Sequence, residues 1–340
     1  MKKVLIGMSG GVDSSVAAAL LKEQGYQVTG ATMRLWPDGG KAAADARRVC
    51  EKIGIAFYEL DFEALFREKV VNYFTKTYLD AKTPNPCIVC NKYLKFGAML
   101  DQALEMGMDY IATGHYARIE EQGGKYWLRA SLAQRKDQSY FLYNFTQEQL
   151  AHTLMPLGGY DKDWVRRKAA ELELPVAQKP DSMDICFVEN GDYAKFIMDQ
   201  TGIIPEPGDV LDMSGNKIGT HKGLLCYTIG QRKGIGAYGR PMFVMRMNPS
   251  ENTVILGEQG MEFFPSLTAS QVHFISGEFP QEPMRVQAKV RYQAQPEDAT
   301  LYPQGDKVRL EFKEPQRAVT PGQSVVFYDG EYVLGGGIVE

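Results

Sequence analysis

The stretch Val4-Leu5-Ile6-Gly7-Met8-Ser9-Gly10-Gly11-Val12-Asp13-Ser14-Ser15 decides the fold of this 340-residue chain. Its apolar start predicts a β-strand, and the Ala- and Leu-rich run over 14–24, which Gly25 follows, predicts a helix. Gly10 and Gly11 allow the backbone between them to turn sharply and to approach a ligand closely. A loop of this kind directs the amides and the positive dipole end of the helix towards a phosphate.

Hydroxyl and carboxylate side chains complete this glycine loop. Ser9, Ser14 and Ser15 are expected to add hydroxyl donors, and Asp13 is expected to hold Mg²⁺ or to cap the helix. The loop lacks the Gly-Lys-Ser/Thr ending of kinases and motor ATPases, so no lysine of the motif reaches a γ-phosphate. We therefore expect attack at the α-phosphate of ATP with pyrophosphate as the leaving group. The alternative is an ordinary helix start after a glycine turn.

Strands and helices alternate after the glycine loop. The sequence predicts strands over 4–7, 26–33, 56–60 and 110–113, and helices over 14–24, 41–53, 63–78 and 95–106. This alternation indicates an α/β fold built on a mostly parallel sheet. Because ligands bind at the carboxyl ends of such strands, Thr113-Gly114-His115 is expected to lie at the same edge as the loop.

The pattern changes after about residue 190, beyond which a last helix is predicted over 192–200. From Pro207 onward, turn residues separate short alternating segments, including 285–292, 307–312 and 324–328. These segments predict one or two small β domains with a boundary near 248–266. The resulting division is 1–190, 191–260 and 261–340.

A second glycine motif lies in this β-rich part. The stretch 234–239 spells the letters of a dinucleotide-binding fingerprint, but no strand–helix–strand unit surrounds it. Because Arg232, Lys233 and Arg240 flank it, a loop near RNA is the better interpretation.

Composition limits the classes of protein that this chain can belong to. With 44% hydrophobic and 24% charged residues it has the balance of a soluble globular protein, and no apolar run approaches the roughly 18–20 residues of a membrane span. Five cysteines are few and odd in number, which favours a reducing cytoplasm over a disulfide-linked secreted protein. The net charge of −4 predicts that any RNA site is a local patch.

Three of the cysteines have a chemical context. Cys87 and Cys90 belong to a proline-rich loop that enters a helix, and the cations of Lys92 and Lys95 are expected to lower the pKa of Cys90. Cys186 lies in the stretch 179–187. Three interpretations stay open: a sulfur-carrying pair of Cys90 and Cys186, a metal or iron–sulfur site that also includes Cys87, and inert buried thiols. Cys50 and Cys226 are expected to be packing residues.

Four motifs in this order resemble the bacterial tRNA-specific 2-thiouridylases. They are the glycine loop, which is also similar to that of N-type ATP pyrophosphatases, and the stretches 84–91 (PNPCIVCN), 112–118 (ATGHYAR) and 181–187 (DSMDICF). The resemblance runs from Lys3 to the C-terminus. It implies an ATP pyrophosphatase domain, a small central domain and a C-terminal β-barrel. It also implies ATP-dependent 2-thiolation of the wobble uridine in the tRNAs for Lys, Glu and Gln.

The resemblance further implies roles for individual residues. Cys186 is expected to carry a persulfide from a cysteine desulfurase or a sulfur-relay protein, and Cys90 to form a transient disulfide with it. Asn85, Pro86 and Cys87 are expected to face the target base. The residues expected to bind ATP are Gly7, Met8, Ser9, Gly10, Gly11, Val12, Asp13, Ser14, Met33 and Gly114. Those expected to bind the anticodon stem-loop of the tRNA are His115, Lys136, Asp137, Gln138, Arg291, Tyr292 and Gln323.

Local charge and aromatic content are compatible with RNA binding. Five basic residues over 118–136 outnumber Glu120 and Glu121 and are expected to form a basic surface that neutralises phosphates. Tyr292 offers a ring for base stacking. The alternatives are a solvated charged hairpin, a Tyr292 that packs within the fold and a His115 buried in the core.

The resemblance is imperfect at Cys87, where many relatives carry Asp. This difference argues against a carboxylate role there. It favours, as an alternative route for sulfur, a [4Fe–4S] cluster held by Cys87, Cys90 and Cys186. The motifs fit two other functions less well. An ATP pyrophosphatase that joins a carbonyl to an amine does not need a cysteine pair, and a non-catalytic redox or metal module does not need the ATP loop.

Overall fold

The structure is a computed structural model that describes residues 1–37, 40–181 and 184–340. The helices are α1 (Val12–Glu23), α2 (Lys41–Ile53), α3 (Glu63–Phe66), α4 (Asn72–Leu79), α5 (Pro86–Cys90), α6 (Met99–Glu105), α7 (Gln147–Ala151), α8 (Lys162–Glu171) and α9 (Tyr193–Thr201). π-Helical turns occupy Arg67–Val71 and Asn91–Ala98, and 3₁₀ turns occupy Gln134–Lys136, Ser139–Leu142, Glu189–Gly191 and Leu224–Cys226. None of these helices is long and apolar enough to cross a membrane.

The strands form three sheets. In chain order they are β1 (Lys3–Gly7), β2 (Gln27–Arg34), β3 (Ala56–Asp61), β4 (Tyr110–Ala112), β5 (Ala117–Gln122), β6 (Lys125–Ala130), β7 (Thr153–Leu154), β8 (Gly208–Leu211), β9 (Lys217–His221), β10 (Met242–Asn248), β11 (Thr253–Glu258), β12 (Phe263–Phe274), β13 (Met284–Lys289), β14 (Glu297–Gln304), β15 (Lys307–Arg317), β16 (Ser324–Asp329) and β17 (Tyr332–Val339).

The first sheet is parallel and has the strand order β3-β2-β1-β4-β7. Its middle strand, β1, carries Val4, Leu5 and Ile6, which are fully buried because helices and connections cover both faces. The chain leaves β1, forms α1 and returns to β2 on one side, while β4 lies on the other side. The carboxyl end of β1 is therefore the switch point of the sheet, where ligands of such folds bind.

Two helical segments of the first part contain π-helical turns. Residues 63–79 form α3, a π-helical turn and α4, and residues 86–105 form α5, a second π-helical turn and α6. The predicted helix start at Lys95 was wrong by nine residues. The helix begins at Pro86 because the Asn85 side chain accepts the amide of Ile88 at 3.4 Å and proline suits the first helical turn.

The second half of the chain is built from β-strands, as predicted. One sheet has the order β10-β11-β8-β9 and encloses a small apolar core around Val210, Val244 and Leu256. The other contains β12-β15-β14-β13-β16-β17, and the pairing of β12 with β17 closes these strands into a barrel. The predicted fold class is confirmed: a parallel-sheet α/β domain, a small central β domain and a C-terminal β-barrel.

The hairpin of β5 and β6 joins this barrel although it precedes it by more than 130 residues, because β6 pairs with β17 at Arg129 and Tyr332. Carboxylates of the barrel and of the hairpin itself pair with the cations of the hairpin. Arg118 and Arg129 both pair with Glu331, Arg129 also pairs with Glu120, and Lys125 pairs with Glu278 at 3.1 Å. Three of the five basic residues over 118–136 thus pair with carboxylates of the barrel, and the local sequence does not show these partners. Phosphate binding by this segment stays a prediction.

The connection between β7 and α8 contains a matched pair of glycines that tests this packing. A Cβ on Gly158 would lie 2.0 Å from the carbonyl oxygen of Ala117 in β5, whereas a Cβ on Gly159 would meet no atom within 4 Å. We predict that Gly158→Ala lowers the free energy of unfolding by about 1–3 kcal/mol, as overpacking does. Gly159→Ala should stay within about 0.5 kcal/mol of the parent. Equal losses for both variants in denaturant titrations would contradict this packing.

Candidate active site

The glycine loop is fixed to the sheet at its first residues. The Met8 amide donates to the carbonyl of Ala31 at 2.7 Å, and the Thr32 hydroxyl donates to the carbonyl of Met8 at 2.8 Å. These bonds hold the loop against β2 and so bring Met33, at the end of that strand, to the same edge of the sheet. Gly10 adopts a φ of +67°, and a Cβ there would lie 2.6 Å from the carbonyl oxygen of Ala42. Only glycine therefore fits between the loop and α2.

The start of α1 is open to an anion. Gly11 is its N-cap residue, and among the described residues no side chain caps the first amides. The amides of the first turn have no intrahelical partner, and the helix dipole adds partial positive charge there. Val12 and Ser14 are buried, which fixes the direction of this turn. The expectation that Asp13 caps the helix was wrong.

The Ser14 and Ser15 hydroxyls both donate to the carbonyl of Gly11, and Ser14 also contacts Ser9. The Ser9 and Ser14 hydroxyl oxygens lie 3.2 Å apart, and the Ser9 amide donates to the Ser14 hydroxyl at 3.2 Å. The Ser15 hydroxyl donates to the carbonyl of Gly11 at 2.7 Å, and its side chain is fully buried. Ser15 therefore satisfies its own helix, and its expected role as a ligand donor was wrong.

The carboxyl end of β4 meets the glycine loop at Gly114. A Cβ on Gly114 would lie 2.7 Å from the Ser14 amide nitrogen and 2.8 Å from the Asp13 carbonyl carbon. Gly7 packs against Met99, whose sulfur would lie 3.4 Å from a Cβ on that glycine. The two motifs that were expected at one edge of the sheet are therefore in contact.

His115 follows this contact and is half-buried. Its Nδ1 lies 2.7 Å from the Thr113 hydroxyl, and its ring centroid lies 5.8 Å from that of Phe96. Burial, aided by the nearby cation of Lys95, holds the pKa of His115 well below its usual range. The imidazole is therefore neutral at physiological pH.

Asp13 lies in a network of charges and hydrogen bonds. It accepts a hydrogen bond from the Tyr116 hydroxyl at 2.7 Å, and the Lys162 ammonium lies 2.7 and 2.9 Å from its two oxygens. Lys162 also lies 2.7 Å from Asp181, which pairs with Arg166 and Lys136 at 2.8 and 3.0 Å. Burial opposes the ionisation of Asp181, but Lys162 and Lys136 hold its pKa below the usual range.

A second lysine reaches the other side of the loop. The Lys179 ammonium donates to the carbonyl of Gly10 at 2.8 Å and to Asp45 at 2.7 Å. Asp45 also pairs with Arg48, and the bonds from these two cations, Lys179 first, lower the pKa of its carboxyl. The sequence interpretation assigned no role to Lys162, Lys179 or Tyr116. Tyr116 lies within the motif 112–118, and Lys179 lies two residues before the motif 181–187. Lys162 belongs to no sequence motif.

Cys87, Cys90 and Cys186 lie in the same region of the structure. Cys90 ends α5, is buried and packs in one apolar cluster with Leu94 and Phe187, which follows Cys186 directly. Its thiol interacts electrostatically with those of Cys87 and Cys186, which belong to exposed residues. Ser182 and Met183 of the motif over 181–187 lie outside the described residues.

The expected low pKa of Cys90 was wrong. Burial raises the pKa of Cys90 to about 12, and the cation of Lys95 opposes this only in part. The cause is the early helix start at Pro86, which places Cys87 in the first turn and Cys90 one turn further, within apolar packing. Desolvation raises the pKa of Cys87 and of Cys186 as well.

The three thiols do not fit an iron–sulfur cluster in this arrangement. Their sulfurs are the correct donor type for one. Over residues 1–37, 40–181 and 184–340, however, no group of three or more His, Cys, Asp or Glu side chains is placed to hold a metal ion.

The C-terminal barrel holds the segment that leads to Asn85, Pro86 and Cys87. The Gln323 side-chain amide donates to the carbonyls of Thr83 and Pro84 at 3.0 and 3.1 Å, and the Thr83 amide donates to Pro321 at 2.9 Å. Gly322 adopts a φ of +89°, and a Cβ there would lie 2.9 Å from the Thr83 oxygen. Gln323 thus connects the barrel to the predicted target-base loop.

The side chains of residues 136–138 form hydrogen bonds or ion pairs with other residues of the chain. Asp137 accepts the amides of Ser131 and Ser139 at 2.9 and 3.2 Å, and Gln138 accepts the amide of Tyr116 at 2.9 Å. Lys136 pairs with Asp181. These bonds order the segment that positions Tyr116 beside Asp13.

Arg291 and Tyr292 lie together at the barrel surface and are half-buried. The Arg291 guanidinium donates to the carbonyls of Arg317 and Ala318. The Tyr292 ring lies 4.4 Å from that of Phe141, with the Lys289 ammonium 5.7 Å from its centroid. Tyr292 therefore packs against the fold and still exposes part of its ring.

Three family descriptions match consecutive parts of the chain. A tRNA methyl transferase HUP domain matches residues 2–190, which is more than half of the chain. A tRNA methyl transferase PRC-barrel domain matches 195–258, and an aminomethyltransferase beta-barrel domain matches 264–339.

Several relatives are similar to this chain over its full length. The tRNA-specific 2-thiouridylase MnmA of Acetivibrio thermocellus is 54% identical, covering 100% of this chain and 99% of that protein. The protein of the same name from Clostridioides difficile is also 54% identical, covering 100% and 98%. The solved NMN synthetase from Francisella tularensis has a TM-score of 0.36 and 19% identity over 53% of this chain and 66% of its own, which supports no inference about ligand or reaction.

The domain descriptions and the relatives name different transferred groups, methyl in one case and sulfur in the other. Identity above 50% across the whole length decides between them, and the chain belongs to the tRNA-specific 2-thiouridylase family.

Proposed function

We propose that this chain is a tRNA-uridine 2-sulfurtransferase that activates the wobble uridine of the tRNAs for Lys, Glu and Gln with ATP and replaces its C2 oxygen by sulfur. One observation carries the proposal: the open start of α1 is connected through Asp13 and Lys162 to Asp181, which precedes Cys186 by five residues (186 − 181 = 5). This connection supports the assignment of phosphate binding to the glycine loop and of sulfur transfer to Cys186.

The first step is adenylation of the base. The uridine C2 oxygen attacks the α-phosphate of ATP, pyrophosphate leaves, and the oxygen becomes part of a good leaving group. We assign ATP binding to the open amides of the first turn of α1, which suit phosphate oxygens. The assigned residues are Gly7, Met8, Ser9, Gly10, Gly11, Val12, Asp13, Ser14, Met33 and Gly114. Mg²⁺ bound to ATP would neutralise the departing pyrophosphate.

The second step transfers sulfur. A persulfide on Cys186 attacks C2 of the adenylated base and expels AMP, which leaves a sulfur bridge between the base and Cys186. The Cys90 thiolate then attacks the Cys186 sulfur, the bridge breaks, and the new sulfur remains on the base. The exposure of Cys186 suits a sulfur acceptor, and the burial of Cys90 keeps the second thiol protonated until it is needed.

This sequence of steps defines the partners. A cysteine desulfurase or sulfur-relay protein supplies the persulfide sulfur, and an external thiol reductant returns the disulfide of Cys90 and Cys186 to two thiols. A cytoplasmic setting provides both, together with ATP and tRNA. We propose the division 1–190, 191–260 and 261–340 for the domains that carry out these tasks.

The anticodon stem-loop is proposed to bind across the edge where the barrel meets the first domain. Asn85, Pro86 and Cys87 face the target base in this proposal, because the barrel fixes their loop through Gln323. The partly exposed ring of Tyr292, next to Lys289, suits base stacking. The remaining proposed contacts are His115, Lys136, Asp137, Gln138 and Arg291.

The proposed function is tested with unmodified tRNA, ATP, Mg²⁺ and a sulfur source, followed by mass spectrometry of the nucleosides. The expected product is 2-thiouridine at the wobble position, and its formation should require ATP. Absence of 2-thiouridine under both aerobic and anaerobic conditions would overturn the proposal.

We predict that Cys90→Ser and Cys186→Ser each abolish 2-thiouridine formation but retain tRNA-dependent release of pyrophosphate, because the thiols act only after adenylation. Cys226→Ser is the matched control, since Cys226 lies in the central domain. It should leave both rates within about twofold of the parent. Full thiolation by either of the first two variants would contradict the sulfur-transfer step.

The pKa of Cys90 predicts its reactivity in the free protein. A thiol with a pKa of about 12 is almost fully protonated at pH 8, so iodoacetamide should modify Cys90 at least about tenfold more slowly than Cys186. Its rate should keep rising with pH up to 10 without reaching a plateau. Lys95→Met should slow it further, because that cation lowers the pKa. Peptide mass spectrometry that finds a plateau near pH 8 would contradict this environment.

A further inference from the structure

We propose that Lys162 and Lys179 contact the phosphates of ATP, and that the phosphates replace carboxylates that these lysines bind in the free protein. The inference rests on the proposed function, because it assumes that ATP occupies the glycine loop. The inference adds to the proposed function two cations that lie outside the glycine loop and contact the bound nucleotide.

Both ammonium groups lie next to the glycine loop, and each contacts a different residue of the loop. The Lys179 nitrogen lies 2.8 Å from the carbonyl oxygen of Gly10, and the Lys162 nitrogen lies 2.7 Å from the carboxylate of Asp13. The Lys162 side chain is only 11% exposed. A lysine is rarely buried to this degree without anionic partners.

The charges around the loop are unbalanced in favour of an anion. The three carboxylates of the network belong to Asp13, Asp45 and Asp181. Five cations pair with them, so the network carries two excess positive charges (5 − 3 = 2): Arg48, Lys136, Lys162, Arg166 and Lys179. Oxygens of a triphosphate can take up this excess, and they are stronger acceptors for lysine than a backbone carbonyl.

The same contacts involve residues that shortly precede Cys186 in the chain. Lys179 and Asp181 precede that cysteine by seven and five residues (186 − 179 and 186 − 181), and each bonds to the loop or to Lys162. When phosphates take over the bonds of Lys162 and Lys179, Lys179 loses its bond to Asp45 and Asp181 loses its bond to Lys162. ATP is thereby expected to change the access to the sulfur-carrying thiol.

The test measures binding of α,β-methylene-ATP with Mg²⁺ by calorimetry in the absence of tRNA. Lys162→Met and Lys179→Met should each raise the Kd by about 10- to 100-fold, the loss expected for a hydrogen bond between charged groups. Lys162→Arg and Lys179→Arg should recover part of this loss, since the charge remains.

Two lysines provide matched controls. Lys168 lies on the same helix as Lys162 and pairs with Glu23 and Glu171, and Lys52 lies on α2 and pairs with Glu173. Lys168→Met and Lys52→Met should leave the Kd within about twofold. Parent-like binding by either folded site variant, or equal weakening in all four methionine variants, would overturn the inference.

The design separates this inference from the proposed function. If the parent protein does not bind the analogue, the proposed function fails; if the parent binds and Lys179→Met binds equally well, only the inference fails. Lys179 is about one-third exposed, so its variant is expected to fold even if Lys162→Met does not. Circular dichroism and the thermal midpoint identify any unfolded variant.

Access to Cys186 provides a second readout that a purely structural lysine would not affect. The analogue should raise the rate at which iodoacetamide modifies Cys186 in the parent by at least about threefold, and this change should be absent in Lys179→Met. An unchanged rate in the parent would overturn the link between the phosphates and Cys186.

Discussion

The site depends on the close contact between Gly114 and the first turn of α1. A single Cβ at Gly114 would lie 2.7 Å from the Ser14 amide nitrogen, so the strand end and the helix start are as near as backbone allows. The contact exists because β1 and β4 are parallel neighbours whose carboxyl ends meet at one edge. It brings Tyr116, two residues after Gly114, within 2.7 Å of Asp13 and so sets the geometry of the charged network.

The features that the sequence predicts correctly are those with a local signal. The apolar run before Gly7 predicts a buried central strand, and the turn-punctuated second half predicts β domains. Contacts between distant segments have no such signal. The sequence around Arg118 does not predict its ion pair with Glu331. Lys162 lies in an ordinary amphipathic helix, and no motif predicts that its ammonium contacts Asp13.

The helix start at Pro86 shows how a small local error changes the chemistry of a residue. Two prolines near the cysteines favour an extended loop, but proline is also well suited to the first turn of a helix, and Asn85 is a good cap. Once the helix starts there, Cys90 lies one turn inside it and is buried next to Phe187 instead of being activated by lysines. An exposed Cys186 and a protected Cys90 suit a reaction in which the two thiols act in sequence.

The central claim is that the C2 oxygen of the uridine is bonded to phosphorus before sulfur attacks. This is tested most directly with tRNA that carries ¹⁸O at C2 of the wobble uridine, followed by mass spectrometry of the AMP formed during thiolation. The account predicts that each AMP carries one ¹⁸O atom, because that oxygen leaves with the phosphate. Unlabelled AMP formed together with 2-thiouridine would contradict it.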